Sequence, residues 1–187
     1  MCLRGGGMRL SEFKERYKRV VKREYTVGGR VWHAKSLCYC RKKVLEEEYD
    51  EVASKDAVMI GQLVHIGVDE ITGYDGGVYV VKVGDYIVKG TPDLYKDGEL
   101  VEVKFTMYPP KEPREHDVLQ LKIYMWMLGE EKGYLWYLSP TRSVEFEIEG
   151  ALTDEEVLDL IENPKCPRFT WECQYCSLAS DCEYRKT

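Results

Sequence analysis

The sequence predicts an α/β fold, a mixed sheet flanked by helices, and three observations predict it. Helical periodicity occupies Met8 to Tyr25 and returns at 57–72, at 114–128 and after Thr153. Between these stretches stand paired strand runs joined across Gly84-Asp85 and Asp97-Gly98. The chain has 187 residues, 44% of them hydrophobic, enough for one core, so 1–187 is expected to form a single domain.

Taken in order, Met8 to Tyr25 reads as a helix, with Ser11 as N-cap and Phe13, Tyr17 and Val20/Val21 at helical spacing. Residues 9–25 carry seven Lys/Arg against three Glu. That pattern suits a solvated face laced with ion pairs, or an edge that contacts phosphates. The acidic run from Glu46 to Glu51 reads as exposed. Ala57 to Thr72 is the second helix and carries His65. Val78–Val83 and Tyr86–Thr91 form one hairpin, and Pro92–Tyr95 with Leu100–Phe105 form another. Pro109, Pro110 and Pro113 break the chain before a helix from Arg114 to Leu128. Gly133–Leu138 and Ser143–Glu149 pair around Pro140. Thr153 caps a helix that ends near Asn163-Pro164. The last segment, Cys166 to Cys182, is short of apolar residues and needs something other than packing to hold it.

Charge and composition exclude several classes. A net charge of −6 excludes a protein that coats nucleic acid by charge alone, so any such site is local. No run approaches the ~18 apolar residues of a membrane span. Met1 to Gly7 lacks the apolar region of a secretory signal, so the expected compartment is the cytoplasm. Seven cysteines, an odd count, then argue for metal or cluster ligation over a disulfide framework. Four Asn and Gln against 38 Glu and Lys is the composition of a thermophile's protein. There is no P-loop, no Gly-x-Ser-x-Gly and no His-Glu-x-x-His.

The second hairpin carries the chemistry. A two-residue Asp97-Gly98 turn sets Lys96 opposite Glu99 and Asp93 opposite Glu102. Lys104, two residues beyond Glu102, projects from the same face, while Val101, Val103 and Phe105 turn to the core. Facing carboxylates repel unless a cation lies between them. Asp, Glu and Lys converging on one spot suit metal-dependent phosphodiester hydrolysis, with Mg²⁺ or Mn²⁺ on the oxygens and Lys104 orienting or deprotonating a water. The bland reading is a surface ion pair between Glu102 and Lys104. Upstream, Gly61 and His65 form G-x-x-x-H; downstream, Gln120 and Tyr124 form Q-x-x-x-Y on one helix face.

The order G-x-x-x-H, G-x-x-D, E-x-K, Q-x-x-x-Y over residues 61–124 resembles the RecB-like branch of the PD-(D/E)xK nuclease superfamily. The resemblance implies a restriction-endonuclease-like core. It implies His65, Asp93, Glu102 and the Val103 carbonyl as metal ligands, and Lys104 as the catalytic lysine. Gln120 and Tyr124 would position the DNA backbone or buttress Lys104.

Cys173, Cys176 and Cys182 supply three thiolates within ten residues. A fourth would come from Cys40, with Cys38 as its rival. Four thiolates hold zinc or an iron–sulfur cluster. One distant cysteine and a clustered three resemble the cluster-binding RecB-like nucleases. With the chain's size and the Cys40-Arg41 element, the pattern is similar to the CRISPR-associated RecB-like exonuclease family, fourth in the Cas numbering. The likeness runs from about residue 34 to 182, although that family often has Cys-Pro-Arg where this chain has Cys40-Arg41. It implies a cluster, [4Fe–4S] or [2Fe–2S], held by Cys40, Cys173, Cys176 and Cys182 in a subdomain of 30–45 plus 166–187. Cys2 and Cys166 are expected to be free thiols. It further implies an exonuclease on single-stranded DNA, 5′ to 3′ and with endonuclease activity a further option, serving spacer acquisition with the Cas integrase proteins. Two other readings stand beside it: a RecB-type repair nuclease outside CRISPR, and a zinc-stapled DNA-binding module without catalysis. Basic residues such as Arg41, Lys42 and Lys43 stand near Tyr39, Phe169, Trp171 and Tyr175, aromatics that would stack on unpaired bases or pack around the cluster.

Overall fold

In a computed structural model, the structure describes residues 10–20, 29–46, 56–74 and 77–186. Helix α1 (Leu10–Val20) precedes a short strand β1 (Val31–His33), a 3₁₀ turn (Ala34–Cys38) and helix α2 (Arg41–Glu46). Helix α3 (Asp56–Thr72) leads into β2 (Tyr79–Val83), β3 (Tyr86–Gly90), β4 (Leu94–Lys96) and β5 (Glu99–Phe105). Helix α4 (Glu115–Leu128), β6 (Lys132–Leu138), β7 (Val144–Glu149), α5 (Asp154–Glu162) and a 3₁₀ turn (Thr170–Gln174) follow among the described residues. Ser11 already lies inside α1, so it is not the N-cap. Most of the acidic run, and Cys2, lie outside the described residues. In α1, Lys14 pairs with Asp56 of α3 at 2.5 Å, the ion-pair use of a basic face.

The sheet expected as one is two, each mixed. Strands β1, β3 and β2 form a three-stranded sheet in that order, and β4, β5, β6 and β7 a four-stranded one. The Gly90–Leu94 connection carries the chain from one to the other through Thr91-Pro92-Asp93. Pro92 has no N–H to donate, so a ladder cannot continue through it. Strand β1 went unpredicted because three residues show no periodicity; it pairs in parallel with β3. The second hairpin keeps the predicted register, with Lys96 opposite Glu99 and positive φ at Asp97 and Gly98, but its ladder ends at Leu94–Val101, so Asp93 is not paired opposite Glu102 as expected.

Strands β5 and β6 are parallel, and α4 is the crossover between them. One face of the pair packs into the main core through Leu100, Leu121, Leu135 and Tyr137. The other face packs Val101 and Val103 with Leu94, and against Val68 of α3. Burial on both faces is the normal condition of a parallel pair. The face with Glu102 and Lys104 therefore lies beneath α4 and is not solvated; Phe105 is half-buried and belongs to neither cluster. Beyond β7, Thr153 and Glu156 form a reciprocal capping box that starts α5.

Gly90 of the Gly-x-x-Asp frame has a steric reason. A Cβ there would lie 2.7 Å from Tyr124 Cε1, 3.0 Å from Met127 Sδ and 3.2 Å from Ala34 Cβ. The glycine lets β3 approach α4 and seats Tyr124. Gly90→Ala is expected to destabilise the protein by about 1–3 kcal/mol, the usual range for overpacking, measured by chemical denaturation. An unchanged midpoint would show that Tyr124 moves aside freely.

Candidate active site

Four elements deliver the polar cluster. Helix α3 brings His65, the segment before β4 brings Asp93, β5 brings Glu102 and Lys104, and α4 brings Gln120 and Tyr124. His65 Nδ1 lies 3.0 Å from Asp93 Oδ1, and Asp93 Oδ2 accepts the Val103 N–H at 2.8 Å. Lys104 Nζ donates to Glu102 Oε1 at 2.7 Å and to Gln120 Oε1 at 2.9 Å. Gln120 Nε2 donates to the same Glu102 oxygen at 2.7 Å and to Tyr124 Oη at 3.4 Å. Glu102 is only 2% exposed, so the surface ion-pair reading of E-x-K fails here. Gln120 and Tyr124 are buried too, in the position of a buttress for Lys104. Nothing among the described residues explains Gly61, where a Cβ would meet open space.

Burial raises the Glu102 carboxyl, helped by the nearby Asp93 charge, to about 7 despite its contact with Lys104. For Asp93 burial pulls upward, but the His65 contact and the Lys104 charge together leave it below the ordinary carboxylate value. Burial also opposes charge on Lys104, yet Glu102, Asp117 and Asp93 outweigh it and keep the ammonium protonated. His65 is raised in the same way: Asp93 overcomes the cost of burial.

Glu102 Oε2 is buried and has no hydrogen-bond partner. An anionic oxygen so placed is costly unless a cation meets it, and hard oxygen donors suit Mg²⁺ or Mn²⁺. Among the described residues, however, no three of His, Cys, Asp and Glu are gathered tightly enough to hold a metal ion. His65 and Asp93 face each other, and Glu102 Oε1 is taken by Lys104 and Gln120.

Cys40, Cys166, Cys173, Cys176 and Cys182 line one cavity near the chain's end. Cys166, expected as a free thiol, instead forms a disulfide with Cys40; the tertiary fold brings together residues 126 apart in sequence. Cys173, Cys176 and Cys182 are free thiols. Cys38 is buried in the main core, its thiol against the Ala34 carbonyl, and does not line the cavity. Glu172, which sequence reading missed, is 1% exposed and accepts from the backbone N–H groups of Cys40 and Phe169, both at 2.8 Å. A carboxylate buried in that way ties the two ends together. The Arg41 guanidinium adds a bond to the Ile161 carbonyl at 2.5 Å. Phe169 and Trp171 stack nearly parallel, half-buried, with Tyr175 exposed beside them.

Two more residues were missed. His116 touches both Phe169 and Trp171, with ring centroids 6.0 and 4.8 Å away. Asp117 lies 3.6 Å from Lys104 Nζ. The only sequence signal for Asp117 was its place three residues before Gln120 on the same helix face.

No protein-family model matches the chain. It is 28% identical over 190 residues to the CRISPR-associated exonuclease Cas4 of Saccharolobus solfataricus, covering 89% of this chain and 92% of that one. The crystal structure of SSO0001 superposes with a TM-score of 0.78 at 26% identity, covering 97% of this chain and 99% of that one. An alkaline exonuclease from Laribacter hongkongensis reaches a TM-score of 0.41 at 14% identity, over 70% of this chain and 81% of that one.

The raised Glu102 makes a prediction about the metal-free protein. A carboxyl whose folded value lies near 7, above its ordinary 4.5, contributes its full stability only below the ordinary value. That contribution is lost as pH rises through 7. With chelator present, wild type should therefore lose at least about 1 kcal/mol relative to Glu102→Gln between pH 6 and pH 8. Denaturant titrations at the two values check it; parallel pH profiles would mean that Glu102 ionises at its ordinary value.

Proposed function

We infer that this chain, a Cas4-like member of the RecB-like nucleases, is a DNA nuclease whose active site is the cluster of His65, Asp93, Glu102 and Lys104 beneath α4. The observation that carries this reading is the buried Glu102–Lys104–Gln120 network with one carboxylate oxygen left unpaired. Asp93, Glu102 and His65, with the Val103 carbonyl, would have to draw together to hold Mg²⁺ or Mn²⁺, His65 giving up its contact with Asp93. Such an ion, when bound, supplies positive charge at the phosphoryl group and an acidified water. Lys104 keeps its ammonium charge and orients the attacking water, while Gln120 and Tyr124 fix Lys104 and Glu102 from behind.

The substrate is DNA, single-stranded by preference and trimmed from the 5′ end, in the service of spacer acquisition with Cas integrase proteins. The supporting feature is the aromatic row of Phe169, Trp171 and Tyr175, with His116 linking it to the active-site helix. Partly exposed rings beside a hydrolytic cluster suit unpaired bases. End-labelled single strands, incubated with Mg²⁺ or Mn²⁺, should be cleaved by wild type. Asp93→Ala, Glu102→Ala and Lys104→Ala, confirmed folded, should each lose at least about 100-fold in rate. Wild-type-like rates in all three would sink the assignment.

The second part of the reading is an iron–sulfur cluster held by Cys40, Cys173, Cys176 and Cys182 in a subdomain of 30–45 plus 166–187. It rests on soft donors lining one cavity; ligation by Cys40 would require two-electron reduction of its disulfide by external thiols, which leaves Cys166 as a free thiol. The protein should be brown and contain iron when prepared without oxygen. Its visible absorption should disappear in Cys173→Ser, Cys176→Ser, Cys182→Ser and Cys40→Ser and persist in Cys38→Ser. A colourless anaerobic preparation with stoichiometric zinc would instead support the zinc staple.

A further inference from the structure

The lysine of the E-x-K motif has a second carboxylate partner that the motif does not contain. Asp117 sits in the first turn of α4 and is 3% exposed. Its Oδ1 lies 3.6 Å from Lys104 Nζ. Its Oδ2 accepts a 2.7 Å hydrogen bond from Tyr137 Oη. Tyr137 is fully buried in β6, and its hydroxyl oxygen also accepts the Arg114 N–H at 3.1 Å. His116 Nε2 stands 3.4 Å from Asp117 Oδ1. The carboxylate is thus held by the strand next to β5 while it faces the lysine that β5 carries.

A physical conflict gives this arrangement its purpose. Glu102 serves both Lys104 and the cation expected at its free oxygen. A divalent charge there draws on the same carboxylate and repels the ammonium, weakening the hold of Glu102 on Lys104. Asp117 belongs to no part of the proposed ligand set, so its charge stays available to Lys104. Gln120 offers only a neutral oxygen, whereas Asp117 adds a full negative charge 3.6 Å from the ammonium.

We propose that Asp117, oriented by Tyr137, is a positioning residue that keeps Lys104 in place at the reacting water once the cation is bound. The proposal rests on the nuclease reading above. Asp117→Asn keeps the shape and removes the charge; Tyr137→Phe removes only the orienting hydroxyl. Single-turnover cleavage of a labelled DNA strand in Mg²⁺ should slow about 10–100-fold in Asp117→Asn, as for other outer-shell partners. Tyr137→Phe should slow it several-fold. Binding of the same strand, measured without cleavage in Ca²⁺, should stay within about twofold for both, as expected when only the reaction step loses an interaction. In a Lys104→Ala background, Asp117→Asn should cost nothing more, because the two residues act as one unit. A merely structural aspartate would lower stability equally in either background.

A wild-type rate in Asp117→Asn, alongside a large loss in Lys104→Ala, would overturn the proposal and leave the nuclease reading intact. A wild-type rate in Lys104→Ala would remove both. If Asp117→Asn does not fold, Tyr137→Phe decides: a several-fold slower rate at unchanged affinity and melting temperature supports the proposal, and an unchanged rate overturns it.

Discussion

The ammonium of Lys104, partly buried between the carboxylates of Glu102 and Asp117 and the amide oxygen of Gln120, is the interaction around which the site is arranged. A charge taken out of water is costly unless its partners are close and fully used. Three elements must therefore meet within hydrogen-bonding or ion-pairing distance: β5 for Glu102 and Lys104, α4 for Asp117 and Gln120, and β6 for the tyrosine that orients Asp117. The parallel β5–β6 pair supplies this geometry, since its crossover must be long and α4 fills it.

The same demand explains two small features. Gly90 lets β3 lie against α4 so that Tyr124 fits beneath it, and Pro92 ends one sheet before the other begins. Asp93 follows that break directly. Freed from ladder pairing, its side chain takes the Val103 N–H and turns its other oxygen to His65. The Gly-x-x-Asp frame is thus a packing contact and a sheet boundary in four residues.

The cysteine-rich end joins this framework through buried polar contacts more than through apolar packing. Glu172 clasps Cys40 and Phe169, Arg41 reaches Ile161, and the Cys40–Cys166 disulfide closes the same ends. A cross-link over so long a loop restricts the unfolded chain strongly in the loop-closure picture. His116 sits where this end meets α4, with Trp171 on one side and Asp117 on the other. The cysteine-lined cavity and the polar cluster are thus linked through α4 although their motifs are separate in sequence.

The turn register at Asp97-Gly98, the helix limits at Leu128 and Thr153, and the shared face of Glu102 and Lys104 were all determined by the sequence itself. Each depends on contacts a few residues long: a two-residue turn, a cap, an alternation of faces. What lay beyond it depends on which elements meet. Periodicity shows that Glu102 and Lys104 share a face, but only the crossover of α4 decides that this face is buried. The division into two sheets, the pairing of three-residue β1, and the roles of Asp117, Tyr137 and Glu172 came from tertiary contact alone. Cys166 is the sharpest case: beside a proline and far from Cys40 in sequence, it had no local signal for a partner. Folding set the two sulfurs together because the ends of the chain are held by side chains whose spacing carries no pattern.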